Sequence, residues 1–281
     1  MRNRSRRGWR RVFNGVNLSA LLVFVFIIIP LYWMIATAFK TRANSGVSPP
    51  QYYPHPLSVQ NFRDAFSEAT FGRYIINSVI VAVVATALVL VLGTLAGYAM
   101  GRLPMRGRFT VLVILLMISV FPEIAVVVPL YALLRDIGWL NSYQALILPY
   151  TAFNLPFAIW ILRNYFMAIP REMEESARID GASPIRTIWS IILPQAWPGL
   201  FTAGIFTFTA CWTEFLMALS FNVANDFRTI PVGVALFGGQ FVTPYGTIFA
   251  ASVVAVVPIA ILVFIFRRSV VSGLTAGAVK G

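Results

Sequence analysis

Long apolar runs cut by isolated charges are the dominant pattern of this chain. Arg11 to Lys40 encloses an uncharged run, as do Arg73 to Arg102, Asp136 to Arg163 and Arg228 to Arg267. Arg108 to Arg135 is interrupted only by Glu123, and Arg186 to Asp226 only by Glu214. A bilayer-spanning helix needs about 20 apolar residues, and every one of these runs is long enough. The pattern predicts spans near 16–39, 74–100, 109–131, 143–162, 199–220 and 247–266. The expected fold is therefore an all-α integral membrane protein with six transmembrane helices, since helices satisfy their own backbone polar groups in lipid.

Composition sharpens this picture. Of 281 residues, 58% are hydrophobic and 11% charged, against about 25% charged in soluble domains, which excludes a soluble two-domain enzyme. The net charge of +12 would suggest nucleic acid in a soluble protein. In a membrane protein it instead sets topology, and no nucleic-acid partner is implied. One side collects the arginines of residues 2–11, Arg102, Arg106, Arg108, Arg163, Arg171, Arg178, Arg186, Arg267, Arg268 and Lys280. The other holds only Lys40, Arg42, Arg63, Arg73, Arg135 and Arg228. Both termini are thus expected in the cytoplasm of a multi-pass membrane protein, in contact with membrane lipid.

The organisation this implies is a basic N-terminus (1–15), a single transmembrane domain (16–267) and a tail (268–281). Ser5-Arg6-Arg7 and Ala36-Thr37-Ala38 imitate the two ends of a cleavable signal. The apolar run between them exceeds the roughly 7–15 residues of a signal core, so an uncleaved first span is expected. The outer segment 40–72, with Pro49, Pro50, Pro54 and Pro56, reads as an irregular stretch on the membrane surface.

One connecting loop, 163–198, reads as structure. Pro170 precedes an acidic helical run, Arg171-Glu172-Met173-Glu174-Glu175-Ser176-Ala177-Arg178-Ile179-Asp180, which meets Gly181. Glutamates suit the positive end of a helix dipole, Glu174 and Arg178 are spaced for an i, i+4 ion pair, and Gly181 suits a helix stop. Ser183-Pro184 then reads as an N-cap and first-turn proline of a second helix. The expected result is a short rigid elbow. A DNA-reading helix-turn-helix is excluded by the spans tethering it on both sides. A passive amphipathic helix accounts poorly for the small residues Ser176, Ala177, Gly181 and Ala182 at the turn, which let another protein approach closely.

The pattern Glu175-Ser176-Ala177, Gly181, Ile191, Leu193-Pro194 resembles the EAA loop of importer-type ABC transporter permeases, with Ser176 in place of the first alanine. The stretches Ile179-Asp180-Gly181-Ala182-Ser183, Pro129-Leu130-Tyr131, Gly138-Trp139-Leu140-Asn141 and Trp212-Thr213-Glu214-Phe215 resemble the carbohydrate branch, in particular the maltose-type second permease. The resemblance runs from about residue 16 to the C-terminus. It implies that the elbow is a coupling helix seated in a groove of a cytoplasmic ATPase, through Glu174, Glu175, Ser176, Ala177, Asp180, Gly181 and Ala182. It further implies a second homologous permease, two ATPase subunits and an extracytoplasmic sugar-binding protein as partners. ATP and Mg would reside on the ATPase. The residues agree independently: a P-loop needs Gly-x-x-x-x-Gly-Lys-Ser/Thr, and the only lysines, Lys40 and Lys280, lie elsewhere. With one His and one Cys, neither a metal centre nor a catalytic dyad is expected, so the chain is not read as an enzyme.

Polar groups inside the membrane face cavities or partners. Glu123 is expected mid-span between Pro122 and Pro129, and Glu214 mid-to-late in the fifth span beside Trp212. Trp212, Glu214 and Asn154 supply the aromatic face, carboxylate and amide that sugar sites use. Two residues apart, Trp212 and Glu214 cannot share a helix face. A buried glutamate serves equally well to hold neighbouring spans together, and both readings stand at this point. So do two alternatives for function: a proton-coupled secondary transporter with Glu123 and Glu214 as the relay, and the same importer class with non-sugar cargo. Gly93, Gly97 and Gly101 have the spacing of a close helix–helix contact.

Overall fold

The computed structural model describes residues 15–67, 70–238 and 243–275, so the basic N-terminal residues and the end of the tail lie outside the described residues. Its helices are α1 (Gly15–Ala38), α2 (Gln60–Ser67), α3 (Phe71–Arg102), α4 (Arg108–Ser119), α5 (Glu123–Asp136), α6 (Gln144–Ala168) and α7 (Glu172–Ile179), continuing below. Next come α8 (Pro184–Gln195), widened to a π-helix over Ile188–Ile192, α9 (Trp197–Thr213), α10 (Leu216–Phe221), α11 (Ile230–Leu236) and α12 (Tyr245–Thr275).

Four of the described helices are long and apolar enough to cross a membrane: Asn17–Ala38, Phe71–Arg102, Gln144–Ala168 and Tyr245–Arg267. The count becomes six if two bent pairs are each one span. The chain turns by 85° between α4 and α5 and by 77° between α8 and α9. Hydropathy reads only the apolar length of such segments, so the third and fifth runs looked continuous in the sequence. The proline of Pro122-Glu123 withholds one backbone donor at the first bend, and Pro194 and Pro198 flank the second. Glu123 is consequently the first residue of α5, at the bend within the α4–α5 pair.

The described residues fall into two compact units. In the first, residues up to 68 together with 234–254, Asn61 caps the end of α1: its Nδ2 donates to Ala38 O (3.0 Å) and Lys40 O (2.7 Å). Lys40 is buried with Nζ 4.0 Å from the centre of the Trp33 ring. Arg42 Nε donates to Asp64 at 2.5 Å, and this hydrogen bond holds the Asp64 carboxyl below the usual carboxylate range. The outer segment expected to be irregular thus contains the two-turn helix α2.

In the second unit, α3 and α6 pack along the glycine stripe. A Cβ at Gly97 would lie 3.1 Å from both Leu162 Cβ and Arg163 N; one at Gly101 would lie 3.2 Å from Arg163 O. Only a residue without a side chain lets the backbones come this close. Around this seam Val89, Tyr98, Ala158, Leu162, Phe166, Ile192, Leu193 and Ala196 form the core. The far end of α3 is fastened by Asn77, whose Nδ2 donates to Asp226 O and Arg228 O while its Oδ1 accepts from Tyr143. Asn141 and Asn222 clasp the neighbouring loops, with Asn141 Oδ1 accepting from Ala224 N at 2.7 Å and Asn222 Nδ2 donating to Ser142 O at 3.1 Å.

Candidate functional site: the elbow and the membrane cavity

The elbow forms for the reasons its residues suggest. Glu172, Glu174 and Glu175 occupy the first turn of α7. At its end Gly181 takes φ +75°, Gly181 N donates to Arg178 O (3.1 Å) and Ala182 N to Ala177 O (2.9 Å). These two bonds close a Schellman stop and satisfy carbonyls the helix leaves open. Ser183 Oγ then accepts from Arg186 N at 3.3 Å, capping the helix that begins at Pro184.

The seven residues assigned to coupling do not share one face. Glu174 and Ala177 are buried against the chain's own body; Glu175, Ser176, Asp180 and Gly181 are exposed, and Ala182 is half-buried. The spacing of Glu174 and Arg178 predicts an ion pair that the structure replaces. Glu174 Oε1 instead meets Arg102 Nε at 3.0 Å, with the side chains 11% and 3% exposed. Arg102 Nη2 also donates to Ile169 O at 2.6 Å. Arg102 ends α3, Ile169 caps α6 and Glu174 opens the elbow, so one guanidinium ties three elements together. Beyond the elbow, Ile192, Leu193 and Ala196 are buried in the α3–α6 core. The turn also displays Ile179 and Ile185, 86% and 71% exposed, so its outer surface is more apolar than the small residues alone suggest.

The intramembrane candidates gather differently. A cavity of about 420 Å³ is lined by Ser119, Glu123, Tyr150, Asn154, Cys211 and Glu214, among others. Trp212 is absent from it: the side chain is buried, stacks on Phe208 and donates from Nε1 to Ala255 O at 2.9 Å. Glu214 sits where α9 ends and the backbone turns extended. Its carboxylate accepts from Met217 N (2.7 Å), Ala218 N (3.1 Å) and the Tyr150 hydroxyl. Glu214 therefore caps α10, supplying acceptors for N–H groups that a helix start leaves open. Asn154 Nδ2 donates to Tyr150 O at 2.8 Å and lies 3.8 Å from Cys211 Sγ. Glu123 lines the same cavity from the first turn of α5. Among the described residues no cluster of three His, Cys, Asp or Glu side chains could hold a metal.

Reading the sequence missed Arg102 and Tyr150, the partners of the two important glutamates. Both lie far along the chain from them, and neither spacing nor hydropathy links such pairs.

Comparison with known proteins agrees with this architecture. The solved structure of a bacterial ABC transporter involved in alginate import superposes with a TM-score of 0.77 at 21% identity, covering 95% of this chain and 98% of that one; that likeness concerns the fold alone. The sulfoquinovosyl glycerol transport system permease protein SmoH of Agrobacterium fabrum is 42% identical, over 94% of this chain and 93% of its own length. The trehalose/maltose transport system permease protein MalG of Thermococcus litoralis is 39% identical over 94% and 95%. The trehalose transport system permease protein SugB of Mycobacterium tuberculosis is 38% identical over 98% and 100%. The sequence profile of the "Binding-protein-dependent transport system inner membrane component" family matches residues 90–275. The chain with the Schellman-stopped elbow and the capped membrane break thus belongs to the family of inner membrane components of binding-protein-dependent transport systems.

Proposed function

We propose that this permease subunit helps import a disaccharide or oligosaccharide, with residues 16–267 working as one permease domain and both termini in the cytoplasm. Membership of the family makes it a membrane component of a binding-protein-dependent ABC importer, in which the ATPase partner holds the nucleotide. In the proposed assembly it pairs with a homologous second permease, two ATPase subunits and an extracytoplasmic sugar-binding protein. The sugar assignment is supported by relatives named for trehalose, maltose and sulfoquinovosyl glycerol and by the carboxylate and amide groups of the cavity.

The observation that carries the coupling role is the elbow itself. It exposes Glu175, Ser176, Asp180 and Gly181 outward, while Glu174 and Ala177 anchor it inward to the α3–α6 body. A groove of the ATPase closing on the exposed face would push on a rigid element joined to membrane helices. Glu123 and Asn154 line the pathway in this reading. Glu214 shapes it as a cap, and Trp212 supports it from behind through Ala255.

The test is a pair of variants, Gly181→Asp and Glu175→Lys. Both should reach the membrane, yet ATP hydrolysis by the assembled complex should no longer drive uptake. Normal uptake by both would remove the coupling assignment.

A further inference from the structure

Beside the elbow, where α3 ends and α4 begins, lies a second cleft of about 830 Å³. Its walls carry Arg102, Arg106, Arg108, Arg171 and Arg178 against two carboxylates, Glu174 and Glu175. Glu174 is consumed by Arg102. That leaves four guanidinium groups facing one carboxylate, and among the described residues none of the four has an ion-pair partner. The four are exposed or half-buried, and like charges gathered this closely repel one another, so an anion placed among them is held favourably. Guanidinium groups bind phosphate oxygens in paired hydrogen bonds, a geometry that suits phosphate better than a diffuse acidic surface.

The surroundings narrow the anion further. Leu103, Met105 and Phe109 stand beside the arginines with exposures of 44%, 39% and 72%. Arg102 closes the candidate span α3 and Arg108 opens α4, half of a bent candidate span; in the proposed orientation the cleft lies where hydrocarbon meets water. A ligand filling both environments carries a phosphate and an acyl chain on one molecule. A soluble phosphate would leave the apolar side chains uncovered.

We infer that this cleft is a binding site for the headgroup of an anionic phospholipid, with the phosphate among Arg106, Arg108, Arg171 and Arg178 and an acyl chain over Phe109. Basic pockets between membrane helices on the cytoplasmic side hold such headgroups, and the inference rests on the proposed orientation. The site would tether the loop behind the elbow to the membrane, so that a push on the elbow moves helices instead of bending the loop.

The experiment uses the complex purified in mild detergent from its native membrane, exchanged into a zwitterionic detergent. Retained lipid and co-purifying chains are then both identified by mass. The wild type should keep phosphatidylglycerol or a related anionic phospholipid. A variant with Arg106→Gln and Arg108→Gln should keep about thirtyfold less, as the loss of two arginines beside an anionic headgroup implies, with the ATPase still present. Equal retention by both overturns the inference. So does an unchanged lipid content with the ATPase lost, which would assign the cleft to the ATPase surface. Binding of inorganic phosphate by wild type that retains no lipid overturns the lipid source as well. Should the double variant fail to assemble, photolabelling of the wild type with a diazirine-bearing phosphatidylglycerol decides. Label on residues 103–109 sustains the site, and none there overturns it. Absence of an ATPase from the wild-type preparation would count against the importer assembly, and is read separately from the lipid.

Discussion

Arg102 and Glu174 meet at 3.0 Å across 72 residues of sequence, the first at the end of a membrane helix and the second in the first turn of the elbow. A buried carboxylate that loses its partner is left uncompensated, at a cost of about 3–5 kcal/mol. Arg102→Ala should therefore weaken the complex and lower its substrate-stimulated ATPase activity. Replacing both residues with methionine should recover much of the stability, because a buried pair exchanged for apolar groups is often neutral. Thermal melts of the single and double variants check both statements.

The α3–α6 seam predicts a steric effect with an internal control. Gly97→Ala places a methyl group 3.1 Å from Leu162 Cβ and Arg163 N, and overpacking of this kind costs about 1–3 kcal/mol. Gly46→Ala and Gly72→Ala meet nothing within 4 Å and should leave the melting temperature unchanged. Equal behaviour of all three would refute the close packing of α3 on α6.

Glu214 and Glu123 line one cavity but should respond differently. Glu214→Ala removes the acceptors of Met217 N and Ala218 N, with a cap worth about 1 kcal/mol. It should lower both stability and transport, and Tyr150→Phe should do so more mildly. Glu123 has no hydrogen-bond partner among the described residues, so Glu123→Gln should change uptake kinetics while leaving the melt alone. Uptake and melting measured on the same preparations separate the two.

Much of this division could be anticipated from the chain, and the reasons it stops are physical. The apolar runs between Arg11 and Arg267 locate the membrane segments because charges are too costly to leave inside them. The elbow was legible to the residue, since Gly181, Ser183 and Pro184 act locally. The bends at Pro122 and before Trp197 were not, because hydropathy is blind to direction. The Glu174–Arg178 spacing misled for a related reason: a buried guanidinium from α3 outcompetes a solvent-exposed one a turn away. Trp212 was placed with the cavity by its chemistry, but the turn of the helix carries it toward Ala255.

The outer segment has its own acid response. Arg42 keeps the Asp64 pKa below its unfolded value, so the pair's contribution is fully present above the ordinary carboxylate pKa of about 3.9. It is lost as pH falls through the lower folded value. Hydrogen exchange of residues 58–67 should quicken across that interval. Arg42→Ala should be looser at neutral pH and show a flatter acid dependence.

The central claim is that this elbow joins a membrane path to an ATPase on another chain. Mild-detergent affinity purification from the native membrane, with the co-purifying chains identified and counted, tests it most directly. The account predicts one further permease and two copies of a P-loop ATPase for each copy of this chain. Recovery of this chain alone or as a homo-oligomer, in several detergents, would contradict it.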